Sequence, residues 1–336
     1  MKERGYQDTF AKQIYEQILG FGSYGFPESH AASFALLAYA SAWLKCHEPA
    51  AFCAGLLNSY PMGFYAPAQL IADAKRNGVK FRSIDVQFSS WECTLELNDV
   101  QHPDVRLGLC MIKGLQQAEA QRIVHCRQHS TFVDMNDLAH RASLNRRSLE
   151  LLSRAGASAS LTHSRPAARW SALGIEKLPG LLAGHSSPEA VIPLPSMTEG
   201  QEIVADYHSV GFTLGRHPLA LLRKRFDQLR VTRASDLPTL PNGKKVRVAG
   251  IVTHRQRPET ASGVIFISLE DETGMSNLII WVTVQQAQRQ PVLCSTLMVV
   301  EGELQQEQGV IHVIAKQVRD YSHWLGELQI ESRDFR

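Results

Sequence analysis

The spacing of apolar and polar positions changes character twice along the chain. Residues 6–19 place Phe10, Ile14 and Ile18 four apart with polar residues between them. That spacing predicts an amphipathic helix, ended by Gly20. From Ala31 to Leu44, twelve of fourteen residues are apolar, and Lys45 closes the run. Pro27 suits a first helical position, where no intrahelical N–H bond is due, and Ser29 can cap. The run falls short of the ~20 residues needed to cross a bilayer. It is therefore expected to be a helix buried nearly all round inside a protein core. His47-Glu48-Pro49 breaks it. Helices are predicted at 49–58, with Phe52, Leu56 and Leu57, and at 67–77, stopped by Gly78. Residues 79–81 and 84–86 read as short extended pieces, and the alternation from Trp91 to Leu97 predicts a strand.

Short helical units follow. Ile112-Lys113-Gly114-Leu115 reads as a hairpin between two helices, the second being Gln117–Gln128 with Ala120, Ile123 and Val124 inward. Residues 134–157 repeat the layout in degenerate form. Leu138, Leu144, Leu149, Leu151 and Leu152 supply a core, Asn145 caps a helix starting at Arg146, and Gly156 ends it. Residues 158–200 shift to Ser, Ala, His, Pro and Gly, with a helix at 165–173 and a linker at 178–200. Leu181-Leu182 is too weak to be a clamp-binding peptide. Helical pattern resumes at 201–226. From 244 the period becomes two: 244–258, 263–271, 275–281, 296–305 and 310–318 are five strand-like runs, with a helical piece at 283–290 between the third and fourth. That count and placement match an OB barrel. The expected fold is multidomain α+β, mostly helical in its first two-thirds and ending in an all-β barrel. The expected boundaries are 1–100, 101–160 (tandem hairpins), 161–235 (linker and helical connector), 236–322 (barrel) and 323–336 (tail).

Charge adds a direction. The net charge is +2 over 336 residues, but the excess is local. Residues 101–180 hold 11 Lys/Arg against 6 Asp/Glu, plus five His, while the flanking segments are near balance. A basic middle third points to a polyanion. The six cysteines form no CxxC and no even framework, which predicts reduced thiols and a cytoplasmic protein. Met1-Lys2-Glu3-Arg4 leads into a polar helix, so no signal peptide is read.

Three groups of residues are candidates for chemistry. Ser29, His30 and Lys45 flank the apolar run and could hold a triphosphate. Equally, they are a cap, a packed ring and a snorkelling cation. In the first hairpin, Lys113, Gly114 and Leu115 can bring backbone N–H groups to a phosphate. This resembles the helix-hairpin-helix, a sequence-independent DNA clamp. Arg122 and Arg127 flank one broad face, and Arg146, Arg147 and Arg154 are candidate phosphate contacts in the second hairpin. An ordinary αα-hairpin and a solvated basic face are the competing readings. On the barrel, Arg247, Arg255, Arg257, Phe266 and Trp281 could form a cationic, aromatic surface for single strands. Protein contact is the alternative. Neither His125-Cys126…His129 nor Glu270-Asp271-Glu272 makes a convincing metal set, so none is assigned.

Phe26-Pro27-Glu28-Ser29-His30-Ala31-Ala32-Ser33-Phe34-Ala35, then Trp43-Leu44-Lys45 and Pro49-Ala50-Ala51-Phe52, resemble the fingers segment of bacterial C-family DNA polymerases. The Pro-Glu before Ser-His is similar to the error-prone branch. Residues 211–219 resemble that family's connector before the barrel. The order of fingers end, hairpins, connector and OB barrel matches the family's C-terminal half. The resemblance implies translesion synthesis after DNA damage, primer-template DNA and single-stranded template as partners, and an incoming dNTP near Ser29, His30 and Lys45. It also implies Mg²⁺ in the full-length enzyme, and recruitment through a Y-family-like polymerase. The family's paired palm carboxylates precede the matched region. No catalytic residue or bound cofactor is therefore assigned here, and the chain alone is expected to be inactive. The family's second hairpin glycine is replaced by Gln116, which puts half of the phosphate nest in doubt. A stand-alone non-catalytic DNA-binding module and a protein-interaction adaptor remain open alternatives.

Overall fold

The computed structural model describes residues 8–22, 27–62, 65–97, 103–175, 194–258, 263–307, 309–328 and 333–335. The linker with Leu181-Leu182 lies outside them. The chain divides into two compact units, one of residues 1–65, 69–80 and 95–105, the other of residues 66–68, 81–94 and 106–336.

The helices of the early chain are α1 (Asp8–Gly22), α2 (Pro27–His47), α3 (Pro49–Asn58) and α4 (Pro67–Arg76). Ala50, Cys53, Ala54 and Leu57 of α3 are buried, as are Ile71 and Ala74 of α4. The Cys53 thiol faces the Leu70 carbonyl at 3.8 Å. The apolar run does form one long helix, but it is not buried. Every described residue of α2 from His30 to His47 is exposed, including Phe34 at 57%, Leu36 at 71% and Tyr39 at 72%. Apolar residues occupy all sides of α2, so covering it would take neighbours on every side. The described residues of this unit do not supply them.

Three short strands follow: β1 (Phe81–Arg82), β2 (Thr94–Glu96) and β3 (Asp104–Arg106). Residues 84–86 are not a strand. Buried Asp85 instead organises a turn, accepting from Gln87 N at 2.8 Å, Ser160 N at 3.1 Å and Ser160 Oγ at 2.7 Å.

Next come a 3-10 turn (Leu109–Met111), α5 (Gln117–His129), α6 (Met135–Arg141) and α7 (Arg146–Arg154). The caps are legible: Asp134 accepts from Asp137 N at 2.8 Å, and Asn145 from Ser148 N at 2.9 Å. Leu109, Ile112, Ala120, Ile123, Leu138, Leu149 and Leu152 are buried in the two hairpins. The helices α8 (Arg165–Gly174), α9 (Glu199–Ser209) and α10 (Pro218–Gln228) lead to the barrel.

The barrel strands are β4 (Lys245–Gln256), β5 (Ile265–Glu270), β6 (Met275–Ile280), β7 (Leu297–Glu307) and β8 (Val310–Asp320), with α11 (Val282–Ala287) and α12 (Arg289–Cys294) between β6 and β7. The long β4 pairs with β7 through its first half and with β5 through its second, closing the barrel. The β6–β8 pairing is parallel and the others among these five are antiparallel. Gly302 sits at a bulge where an added Cβ would lie 2.4 Å from the Ile314 carbonyl oxygen, so the strands close only around a bare backbone. A last strand, β9 (Arg333–Phe335), runs parallel to β4.

Val248, Ile267, Leu278, Val300 and Val313 are among the residues filling the interior. A second cluster joins Ile203, Leu219 and Phe226 of the connector to Ala249, Ile251, Leu297 and Val299 on the outside of β4 and β7. The connector therefore covers the β4–β7 side. The β5–β6–β8 side has no such cover among the described residues.

Candidate nucleic-acid interface

Gly114 makes the first hairpin turn, at φ +84°. An added Cβ there would lie 3.7 Å from Arg147 Nη2 and 3.6 Å from Leu151, which places α7 over the hairpin. The missing second glycine is immaterial to the backbone. Gln116 sits at φ −85° and ψ 143°, where any residue is at ease. In the second hairpin the turn falls on Ser143, at φ +48°. Both turns therefore take a positive φ, and only the first announces itself with glycine.

Buried Glu119 joins them. Its carboxylate accepts from Gln116 N at 3.4 Å, Asn145 Nδ2 at 3.1 Å and Ser148 Oγ at 2.5 Å. It thus links the N-termini of α5 and α7. Sequence reasoning had not singled it out; its signal was the Glu three residues after Gln116.

The predicted cations separate into two sets. Arg146 and Arg147 are exposed in the first turn of α7, and Leu115 is buried beneath the hairpin. Lys113 is exposed but engaged: its Nζ donates to Tyr207 O at 3.1 Å, and its backbone N to Ser209 O at 2.9 Å. Arg122 donates to Ala142 O at 2.8 Å and Ser143 O at 3.4 Å, holding the second turn. Arg127 is half-buried and donates to the carbonyls of Val86, Phe88 and Ser89 at 2.5–3.1 Å. Burial lowers its pKa. Arg154 pairs with Glu150 at 2.6 Å. Arg141, not anticipated, binds the carbonyls of Cys126 at 2.6 Å and Ser130 at 2.7 Å. An arginine that stitches carbonyls is indistinguishable by type from one that awaits phosphate.

The barrel divides in the same way. Arg247 donates to Glu301 Oε1 at 2.6 Å and to the Leu229 carbonyl. Arg255 is 8% exposed and donates to Val292 O at 3.1 Å and to Ser295 O. Its guanidinium lies inside the fold, which takes it off any surface. Arg257, Phe266 and Trp281 come together at one end. Phe266 faces outward, and Trp281 is 52% exposed. The position of a Gly263 Cβ lies 3.6 Å from Arg257 Nη2 and 3.2 Å from Val282, the residue after Trp281. The trio Glu270-Asp271-Glu272 is taken up by structure: Arg223 grips Glu272, and Asp271 accepts from Ala234 N at 2.8 Å and Thr273 N at 2.7 Å.

In the early chain, Lys45 Nζ pairs with Asp73 at 2.8 Å. Lys45 is the foremost of the partners that lower the Asp73 pKa, with Arg76 also contributing. The His30 ring lies 4.4 Å from that of Phe34. Ser29 is in the first turn of α2, and its side chain is outside the description. All six cysteines are free thiols. No helix among the described residues is long and apolar enough to cross a membrane.

Paired hairpins followed by a five-stranded barrel define a class, that of nucleic-acid-binding modules. The helix-hairpin-helix motif family matches residues 78–168, and the OB-fold nucleic acid binding domain family matches residues 246–321. The whole chain is similar to proteins named error-prone DNA polymerase. It is 49% identical over 335 residues to that of Alkalilimnicola ehrlichii, 50% over 347 to that of Pseudomonas fluorescens, and 51% over 340 to that of Azoarcus sp.. Each match takes in 100% of this chain and 32–34% of the relative. Along its whole length the chain resembles error-prone DNA polymerases, and it spans about a third of the length of those relatives.

Proposed function

We propose that this chain is the DNA-gripping C-terminal part of an error-prone DNA polymerase used in translesion synthesis in the cytoplasm. The observation that carries the reading is identity near 50% along the entire chain, both DNA-binding modules included. The hairpins would hold the duplex behind a primer end. Arg146 and Arg147 support this by their position. Cations in a helix's first turn oppose its dipole, at about 0.3–1 kcal/mol each, and a phosphate seated there would reverse the sign. The barrel end with Arg257, Phe266 and Trp281 would hold the single-stranded template.

His30 and Lys45 would lie near an incoming dNTP, and recruitment would run through a Y-family-like polymerase. Mg²⁺ chemistry would belong to carboxylates outside this stretch. Among the described residues no three His, Cys, Asp or Glu side chains group as metal ligands. The apolar exposure of α2 supports a role inside a larger assembly rather than as a self-sufficient module.

Fluorescence anisotropy on a primer-template tests the reading. The chain should bind at low salt, and Arg146→Ala/Arg147→Ala should weaken binding of all sequences alike. It should also flatten the log K against log salt slope by about two. No binding in dilute buffer would refute the reading. Primer extension with dNTPs and Mg²⁺ should yield no product from this chain alone.

A further inference from the structure

The outward ridge of α5 carries a pair of side chains that neither the hairpin turns nor the barrel uses. Ala120 and Ile123 face the core, and Arg127 turns inward to the carbonyls of Val86, Phe88 and Ser89. The opposite side of the helix therefore faces solvent. His125 and His129 lie on it, both exposed. Four residues apart, they are about 40° from each other around the axis and one turn apart along it. Their ring centroids are 5.1 Å apart. His129 Nδ1 lies 3.2 Å from the His125 carbonyl oxygen. A carbonyl only accepts, so that nitrogen carries the proton and the Nε2 of the same ring keeps its lone pair. Metal-binding histidines are commonly held in this way, one ring nitrogen donating to a backbone carbonyl while the other meets the ion. Two histidines at i and i+4 on one helix face are also the spacing that zinc-binding helices use.

The surrounding groups narrow the chemistry. Cys126, between the two, donates its thiol to the Arg141 carbonyl at 3.0 Å and takes no part. Among the described residues no third His, Cys, Asp or Glu joins the pair. Magnesium and calcium, which take oxygen ligands, therefore find little here, whereas imidazole suits zinc, nickel and copper. Arg122, Arg127 and Arg141 are each turned to backbone carbonyls. The pair sits near the C-terminal end of α5, where the helix dipole favours a cation.

We infer that His125 and His129 bind one divalent ion of the zinc, nickel and copper class, through the His129 Nε2 and a ring nitrogen of His125, with water in the remaining positions. Spacing alone carried no metal assignment; the close rings and the fixed His129 tautomer do. The ion clips consecutive turns at the end of α5 and so favours the folded chain. The site is independent of the proposed grip on DNA, and neither reading depends on the other.

Nickel chloride is the probe, because Ni²⁺ suits imidazole and the chain also holds six cysteines, which zinc and reduced copper seek. Isothermal titration calorimetry should show one ion per chain. His125→Ala and His129→Ala should each weaken that site by about tenfold or more, and His163→Ala, at an exposed histidine in the loop before α8, should leave it within about twofold. Nickel in large excess over its Kd should raise the Tm of the parent and of His163→Ala, but not of the other two variants. All three substitutions are at exposed positions, so metal-free melts should coincide with the parent. A parent that takes up no ion would overturn the inference. So would binding that survives both His125→Ala and His129→Ala, or that His163→Ala weakens equally, since the ion would then sit elsewhere.

Discussion

At the scale of single residues, His217 exerts its influence through a proton it lacks. It precedes α10, and its Nδ1 accepts from Leu219 N at 3.2 Å, which requires that nitrogen to be unprotonated. Burial lowers its pKa to about 4, against the pull of Glu272 and Asp271. Its unfolded value is about 6.5. The folded state therefore binds fewer protons, so stability is full above about pH 6.5 and is lost as the pH falls toward 4. Between pH 7 and 5 the loss should be on the order of 2 kcal/mol in urea unfolding. His217→Asn keeps a capping acceptor without a titrating ring. It should flatten that pH dependence by about one proton's worth.

The two hairpin turns make a paired prediction. Gly114→Ala imposes a side chain at φ +84° and should cost about 1 kcal/mol. Ser143→Gly removes a similar strain but frees the unfolded chain by a comparable amount, so it should change stability by less than about 0.5 kcal/mol. Thermal melts of the two variants read the asymmetry directly.

At the scale of elements, periodicity and caps were legible, and environment was not. The five barrel runs, the hairpin at Gly114 and the start of α7 at Arg146 follow from alternation, glycine and Asn145. The second hairpin was legible from its leucines and Asn145, but the place of its turn was not, because Ser143 carries no glycine signal. Arg127 and Arg255 looked like phosphate ligands because the carbonyls they bind lie 37 to 41 residues away in sequence.

The exposed α2 is the sharpest difference, since twelve apolar residues in fourteen read as core in any sequence. Its exposure has a consequence. The isolated chain should self-associate and brighten a hydrophobic dye such as ANS. Leu36→Lys/Tyr39→Lys, at two of the most exposed positions, should reduce both in light scattering and fluorescence. The change should cost less than about 0.5 kcal/mol in folding, because these side chains lose no burial. Undiminished association would place the sticky surface elsewhere.

At the scale of the second unit, the connector is bound at both ends. On the hairpin side, Arg165, whose guanidinium lies against Gly156 at the end of the second hairpin, pairs with Glu202 at 3.1 Å and with Asp206, which also accepts from Thr213 Oγ1 at 2.6 Å. On the barrel side, Arg223 binds Glu272 through two bonds of 2.5 and 2.7 Å, with Asp271 at 3.6 Å. Burial alone would raise the Glu272 pKa, but the bonds and charge of Arg223 outweigh it and leave the carboxylate lowered. These pairs are largely shielded from water. Removing one partner strands its counterion, at about 3–5 kcal/mol.

Hairpins and barrel should therefore meet DNA as one body, and rigidity should appear in affinity. A duplex carrying a single-stranded overhang engages both, and the second contact then forms at high effective concentration. Its affinity should exceed that of duplex or single strand alone by about 100-fold or more. Asp206→Ala/Arg223→Ala loosens both latches without touching either proposed DNA surface. It should lower the affinity for the overhang substrate toward that of its parts, leave binding of separate duplex and single strand within about twofold, and split a single urea transition into two. An overhang advantage that survives the double substitution would mean that the connector acts as a tether rather than a strut.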